Sequence, residues 1–294
     1  MIGFGGRVNP MRGRRNFEND TNSKVRFGMT DKILVDISDN IAWITFNRPE
    51  ARNALDLEMR EAFVGILADL EQDDAVRCLV LRGAGKSFLA GGDVKTMYEA
   101  TQSMTAEERY KQRLHSMHVT DYRIQTLRRM PKPVLASVHG ACAGGGLSLL
   151  GACDLAIAAE GTKFTFAFSK IGVSPDGGSS FFLPRMMGMK KAFELAFLSD
   201  LFDVDTAQEI GLVNWVVPQE KLAEETEKIA KRLANSATKA LGNTKALLNA
   251  SLNNTIEQQM ALETRSLAEC MMSEDHVEGV TAFVEKRKAV FKGK

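Results

Sequence analysis

Apolar and polar positions along the chain fall into two periods. The short β-branched runs ILVDIS (33–38) and IAWITF (41–46) read as strands, separated by Asp39 and Asn40, a pair suited to a hairpin turn. Directly after them, Leu55, Met59, Phe63, Ile66, Leu67 and Leu70 recur at helical spacing, with Asp56 placed as an N-cap. Apolar runs at CLVLRG (78–83), VLASVH (134–139) and DLAIAA (154–159) predict buried strands with helical stretches between them. That alternation predicts an α/β fold with right-handed β-α-β crossovers. Beyond about residue 200 the strand signals stop, and 205–210, 219–236, 238–250, 254–272 and 275–290 read as helices. Leu222, Ile229, Leu233, Leu241, Leu247 and Leu248 stand there among dense charge, as on amphipathic helices that pack within the chain or against another subunit.

Composition narrows the function classes. A chain of 294 residues, 44% hydrophobic and 26% charged, has the length and apolar content for one or two well-packed domains. Thirty-eight basic residues balance 37 acids, so no chain-wide field exists to hold a nucleic acid or an anionic membrane. No apolar run reaches the roughly 18 residues a membrane span needs. The first 28 residues carry six basic residues against two acids and lack an apolar segment, which excludes a secretory signal. They read as a disordered extension, with Met29 as an alternative start; Glu18 and Asp20 weigh against a transit peptide. Cys78, Cys142, Cys153 and Cys270 form no C-x-x-C pair, and the histidines offer only a weak His115/His118 spacing, so no metal is expected and the cysteines read as small hydrophobes in a reducing compartment. A bacterial cytoplasm is the expected location, with mitochondrion and peroxisome as alternatives.

Candidate chemistry begins with two glycine-rich loops. In GAGKSFLAGGD (83–93), Gly85, Lys86 and Ser87 match the end of a phosphate loop, but its first glycine would fall on Val80. The dinucleotide fingerprint fails at Leu149, although Gly144 and Gly146 are in place. What remains is Ala90-Gly91-Gly92-Asp93 after one strand and Gly144-Gly145-Gly146 after another, where small residues let backbone approach a ligand. The second loop opens an apolar helix, whose N-terminal amides favour a developing oxyanion. Each loop read alone is more often just a tight strand-to-helix turn; the two together in one α/β domain weigh as much for a ligand site as against it.

The segments NRPEARNAL (47–55), KSFLAGGDVKTM (86–97), VHGACAGGGLSLLGACDLAIAA (138–159), IGVSPDGGSSFFLPR (171–185), AQEIGLVNWVV (207–217) and EGVTAFVEKRKAVF (278–291) together resemble the crotonase (enoyl-CoA hydratase/isomerase) superfamily. The likeness runs from residue 31 to the end. It implies a crotonase-like spiral of β-β-α units over residues 29–200, a C-terminal all-α trimerisation region over 201–294, and a homotrimer or dimer of trimers. It also implies an acyl-CoA substrate with no metal and no cofactor beyond the coenzyme A of the substrate itself. By the same resemblance, the amides of Ala90 and Gly145 are expected to form an oxyanion hole, each donor being worth about 3 kcal/mol. Coenzyme A is expected to meet Arg52, Ala54, Ala90, Gly91, Gly92, Asp93, Gly144 and Gly145, with Phe168 beside the acyl group. The basic tail (Lys286, Arg287, Lys288, Lys292) is a weaker candidate for its phosphates.

The family's hydratases use two glutamates, and the matching positions here are Ser148 and Phe168. Neither can move a proton at neutral pH, so plain hydration is disfavoured. Asp176, in SPDGGSSFFLP, resembles the acid of isomerase subgroups that shuttle a proton between two carbons of an unsaturated acyl-CoA. Phe164, Phe166, Phe168, Phe181 and Phe182 are expected to line its pocket and raise its pKa by desolvation. An atypical hydratase remains open. So do a hydrolytic dehalogenase-like enzyme, for which His118 and Asp121 sit near the needed histidine position, and a non-enzymatic homologue. Read from local residues alone, Pro175-Asp176-Gly177 is a surface turn sooner than a catalytic acid, and it is the resemblance that reverses this order.

Overall fold

A computed structural model describes residues 30–294; the expected N-terminal extension and Met29 lie outside the described residues. Strands β1 (Ile33–Ser38) and β2 (Ile41–Phe46) form an antiparallel hairpin, and Asp39 and Asn40 turn it with φ of 51° and 61°. Both residue types tolerate the left-handed region that such a turn demands. Helix α1 (Leu57–Gln72) begins where Asp56 accepts the Met59 N–H at 2.9 Å, and it buries Met59, Phe63, Ile66, Leu67 and Leu70. Leu55 stands before the helix rather than in it, bridged to Gly92.

The chain continues through β3 (Cys78–Gly83), α2 (Val94–Ser103), α3 (Ala106–Arg129), β4 (Val134–Val138), β5 (Ala141–Ala143), α4 (Gly145–Ala152), β6 (Leu155–Ala159) and β7 (Lys163–Thr165). Next come α5 (Ser179–Met187), α6 (Met189–Leu198), β8 (Phe202–Asp203), α7 (Val204–Glu209) and β9 (Trp215–Val217). Helices α8 (Leu222–Ala234), α9 (Thr238–Ser251), α10 (Ile256–Met271) and α11 (Glu274–Val284) complete it. Six strands form one sheet in the order β1-β2-β3-β4-β6-β9, parallel except for the first pair, and β5-β7-β8 form a second, smaller sheet. Side chains alternate across the large sheet. Leu79 and Leu81 face the main core with α1, whereas Cys78 and Val80 face α8 on the outside with Leu222, Ala230 and Ala234.

Two expectations need correction. Strands do not stop at residue 200: β8 pairs with β7, and β9 pairs with β6 at the edge of the large sheet. At two and three residues they are too short for any period to register, as are β5 and β7. The last helix ends at Val284 rather than 290, because Lys286 takes φ of 55° and Glu278 accepts from Arg287 and from the Val290 N–H. Burial pushes the Cys78 thiol up to about 12 and raises the Cys142 and Cys153 thiols as well, which disfavours their thiolates. Among the described residues no helix is long and apolar enough to cross a membrane.

The helical tail is tied to the sheets by polar groups. Arg77, just before β3, donates to Thr238 Oγ1, the Ser236 carbonyl and the Phe291 carbonyl. Lys245 on α9 reaches the Leu127 carbonyl at 2.6 Å and Asp154 at 2.8 Å. Burial raises the Asp154 pKa and the Lys245 ammonium opposes that rise, so the pair is mutually dependent. Lys245→Ala removes a buried ammonium from the Leu127 carbonyl and from Asp154, whose side chain is 25% exposed, and should lower stability by about 2 kcal/mol, read as a fall in the urea midpoint.

Candidate active site

Asn53 locks the two loops that frame the site. It is fully buried, takes φ of 60°, donates through Nδ2 to the carbonyls of Ala84, Ser87 and Phe88, and accepts the Arg48 N–H at 2.9 Å. Asn is among the few non-glycine types that enter this backbone region readily. The loop before α1 is thereby fixed to the loop after β3. Arg48 strengthens the joint, donating to the Ala54 carbonyl and pairing with Asp93 at 2.6 Å.

Gly91 brings the second glycine loop into contact with the first. Its φ is 89°, and a Cβ there would lie 2.7 Å from the Ala143 carbonyl oxygen and 2.9 Å from the Gly145 nitrogen. Only glycine permits that approach. Across the contact, the Gly92 nitrogen lies 3.9 Å from where a Cβ of Gly145 would be. Among the described residues the amides of Gly92 and Gly145 donate to no carbonyl, and Gly145 opens α4, where helix N-terminal amides are unpaired by construction. Ala90, the donor expected from the sequence, gives its N–H to the Arg52 carbonyl at 3.0 Å; of the amides that follow it on the loop, Gly92's lies across from Gly145.

Asp176 stands beside this pair of amides. One carboxylate oxygen, Oδ2, accepts from Arg113 Nη2 on α3 at 2.6 Å; the other, Oδ1, lies 4.0 Å from the Gly145 Cβ position. The turn expected at this residue is present and held from behind. The Asp176 carbonyl accepts from the hydroxyls of Ser148 at 2.8 Å and Ser179 at 3.0 Å, and Gly177 takes φ of 58° against Ser148. Ser148 therefore positions the loop that carries Asp176.

Four of the five aromatic rings expected around Asp176 have other partners. Phe164 and Phe166 stack on Phe202 inside the core, Phe181 lies under Arg185 at 3.7 Å, and Phe182 packs on Gly151 and Gly178. Phe168 is buried. The carboxylate has cationic neighbours instead: Arg113, and within electrostatic reach Arg60 on α1 and Arg123 on α3. No motif marked these three arginines; only the pairing of α1 with α3 assembles them.

The remaining candidates fall in two groups. Gly91, Gly92, Gly144 and Gly145 cluster at the loop contact, with Ala54 buried behind it. The Asp93 carboxylate is occupied by Arg48 and by the amides of Lys95 and Thr96 as the cap of α2, which leaves only its backbone for a ligand. Arg52 is exposed beside Ala90. In the basic tail Arg287 is bound to Glu278 and Glu285, so that guanidinium is not free for phosphate. His118 and Asp121 are exposed on α3, and among the described residues neither is hydrogen-bonded to Asp176. Two surface cavities, of 440 and 490 Å³, lie elsewhere and touch none of Gly92, Gly145 and Asp176.

Two sheets joined by a helix-capped glycine contact, with an acid beside it, define a class of fold found in known proteins. The enoyl-CoA hydratase/isomerase family model matches residues 36–294. A 1,2-epoxyphenylacetyl-CoA isomerase of Escherichia coli is 36% identical over 271 residues, spanning 90% of this chain and 100% of that protein. A crotonyl-CoA hydratase of Syntrophomonas wolfei is 35% identical, spanning 89% of this chain and 98% of that protein. The crystal structure of an enoyl-CoA hydratase from Bacillus anthracis superposes with a TM-score of 0.83 at 30% identity, covering 90% of this chain and 100% of that one. The chain belongs to the enoyl-CoA hydratase/isomerase family of the crotonase superfamily.

Two substitutions test the geometry. Asn53→Ala leaves three carbonyls without their donor and should cost about 3 kcal/mol or more in a denaturant titration. Ser148→Ala should cost only about 1 kcal/mol, because the Ser179 hydroxyl still donates to the same carbonyl.

Proposed function

We propose that this chain is an enoyl-CoA isomerase that shifts a double bond from the 3 to the 2 position of an acyl-CoA. The observation that carries the reading is the placement of Asp176: one oxygen is anchored by Arg113 and the other lies 4.0 Å from the Cβ position of Gly145, whose amide is one of the two open donors. In the reaction, the thioester carbonyl sits between those two amides. Asp176 takes a proton from C2, the negative charge spreads onto the carbonyl oxygen as a dienolate, and the same carboxylic acid returns the proton to C4. The two amides stabilise charge only as it develops, which is where such donors act most strongly. One carboxylate suffices, in keeping with Ser148 and Phe168 at the positions of the hydratase glutamates.

The relatives include both reaction types. Besides the isomerase and the crotonyl-CoA hydratase, a trans-2-decenoyl acyl-carrier-protein isomerase of Streptococcus mutans is 30% identical across 98% of its length. Hydration by an atypical acid is the second reading. Arg52 and the backbone of 90–93 would meet coenzyme A at the mouth of the site, and no separate cofactor takes part. A second copy of this chain suits the exposed apolar residues of α10 and α11, including Met260, Leu267, Val280 and Phe283, in a homotrimer or dimer of trimers.

Purified protein should convert a 3-enoyl-CoA to its conjugated isomer, followed as new ultraviolet absorbance. Asp176→Asn should lower kcat by about 10²- to 10⁴-fold with KM little changed. Retention of the full rate by that variant sinks the assignment of the base. Faster hydration of crotonyl-CoA than isomerisation of the 3-enoyl thioester favours the second reading.

A further inference from the structure

Around Asp176 the charges do not balance. Arg60, Arg113 and Arg123 all lie within electrostatic reach of its single carboxylate, which is already paired with Arg113. The other acids that reach Arg60 are held elsewhere: Asp56 by Lys32, and Asp93 by Arg48. Asp121, the other acid that reaches Arg123, is exposed to solvent.

Arg123 is 3% exposed, and its Nε and Nη1 are buried with no hydrogen-bond partner among the described residues. Arg60 Nε is in the same condition, as is the Thr126 hydroxyl nearly one turn further along α3. Burial, with the Arg60 charge adding to it, pulls the Arg123 pKa down to about 10, so the guanidinium stays charged at neutral pH. A buried cation without acceptors, beside a second cation, costs several kcal/mol unless an anion completes it. Among the described residues no acid is hydrogen-bonded to either guanidinium, and Asp176, the carboxylate within reach of both, is paired with Arg113. The site of that deficit is fixed: Arg60 Nη2 lies 3.2 Å from the Cβ position of Gly92, beside the amides that would hold the thioester.

We propose that Arg60 and Arg123 receive a carboxylate carried by the acyl group itself, so that the substrate class is a short dicarboxylic acid joined to coenzyme A at one end. This inference rests on the isomerase-type site proposed above and names what enters it. A guanidinium fork matches a carboxylate in two hydrogen bonds, and two forks satisfy both oxygens. Arg113 remains with Asp176 and shields the incoming charge from it. The position of Arg60 next to Gly92 places the carboxylate only a few carbons from the thioester, which favours a short or folded-back acyl chain. An unsubstituted fatty acyl group would leave both cations buried and unmet.

The test is binding of two unreactive thioesters of equal length, adipyl-CoA and hexanoyl-CoA, to the full chain by calorimetry. Adipyl-CoA should bind at least about tenfold more tightly, since charge-assisted bonds of this kind are worth that much or more. In Arg123→Gln and in Arg60→Gln the preference should fall to about twofold or less. Equal affinity of the unaltered protein for both thioesters overturns the proposal, as does a preference that survives both substitutions. Hexanoyl-CoA binding with no gain from the added carboxylate removes the inference alone, whereas failure of both thioesters to bind removes the acyl-CoA site with it. A thermal melt of each variant shows that it is folded; Arg123→Gln should melt no lower than the parent, because an unpaired buried charge has been taken out. If Arg123→Gln does not fold, Arg60→Gln, at a less buried position, carries the test alone.

Discussion

Two backbone loops touch at Gly91 with no side chain between them, and the rest of the site is arranged around that contact. A Cβ at Gly91 would collide with the Ala143 carbonyl and the Gly145 amide, so the contact exists only because the residue is glycine and can hold φ near 89°. On one side the loop hangs from Asn53, whose amide nitrogen serves three carbonyls; on the other it meets the first turn of α4. Both supports belong to regular structure, β3 and β5 leading in and α2 and α4 leading out. The amides of Gly92 and Gly145 are therefore held by elements that have no reason to move during a reaction. Their placement before any substrate arrives is what makes them useful, since donors that need not reorganise stabilise developing charge most efficiently.

A second constraint comes from α3, which spans Ala106–Arg129 and brings two arginines to one place. Arg113 and Arg123 lie ten residues apart, about 2.8 helical turns, and it is their long side chains that come within electrostatic reach of each other and of Arg60, which meets them from α1 packed on the same helix. Asp176 comes from an entirely different part of the chain, on a turn pinned by Ser148 and Ser179. The carboxylate is therefore embedded in a cationic wall. The aromatic residues nearby, Phe164 and Phe166 above all, are spent on the core against Phe202. An acid in this setting is oriented by charge rather than by desolvation, and a ligand entering it meets more positive than negative groups. That surplus is local and invisible in a chain whose net charge is +1.

Much of the fold was legible before the structure. The hairpin at Asp39 and Asn40, the buried face of α1 and the strands at 78, 134 and 154 follow from periodicity and turn chemistry, because each is long enough to repeat its own pattern. Strands β5, β7, β8 and β9 were not legible, because a segment of two or three residues contains no period. The tail helix was read too long for a similar reason: the apolar spacing continues past Val284, but the left-handed Lys286 and the Glu278 carboxylate end the helix through contacts that the spacing does not contain. In the site, the glycines and Asp176 could be found from motifs, whereas the choice between Ala90 and Gly92 could not. That choice depends on which amide the Arg52 carbonyl occupies.

By itself, then, the sequence determined the family, the α/β class, the two glycine loops and the one acid next to them. These are carried by local spacing and by residues whose conformational or chemical range is narrow: glycine at positive φ, aspartate where a serine and a phenylalanine replace glutamates. The tertiary structure decided which amides stay open, what holds Asp176 in place, and that Arg60, Arg113 and Arg123 share its surroundings. Those facts depend on residues from 52 to 176 meeting in space, and the energies that matter there, a hydrogen bond taken or left and a charge paired or unpaired, are set by distances that no linear spacing encodes.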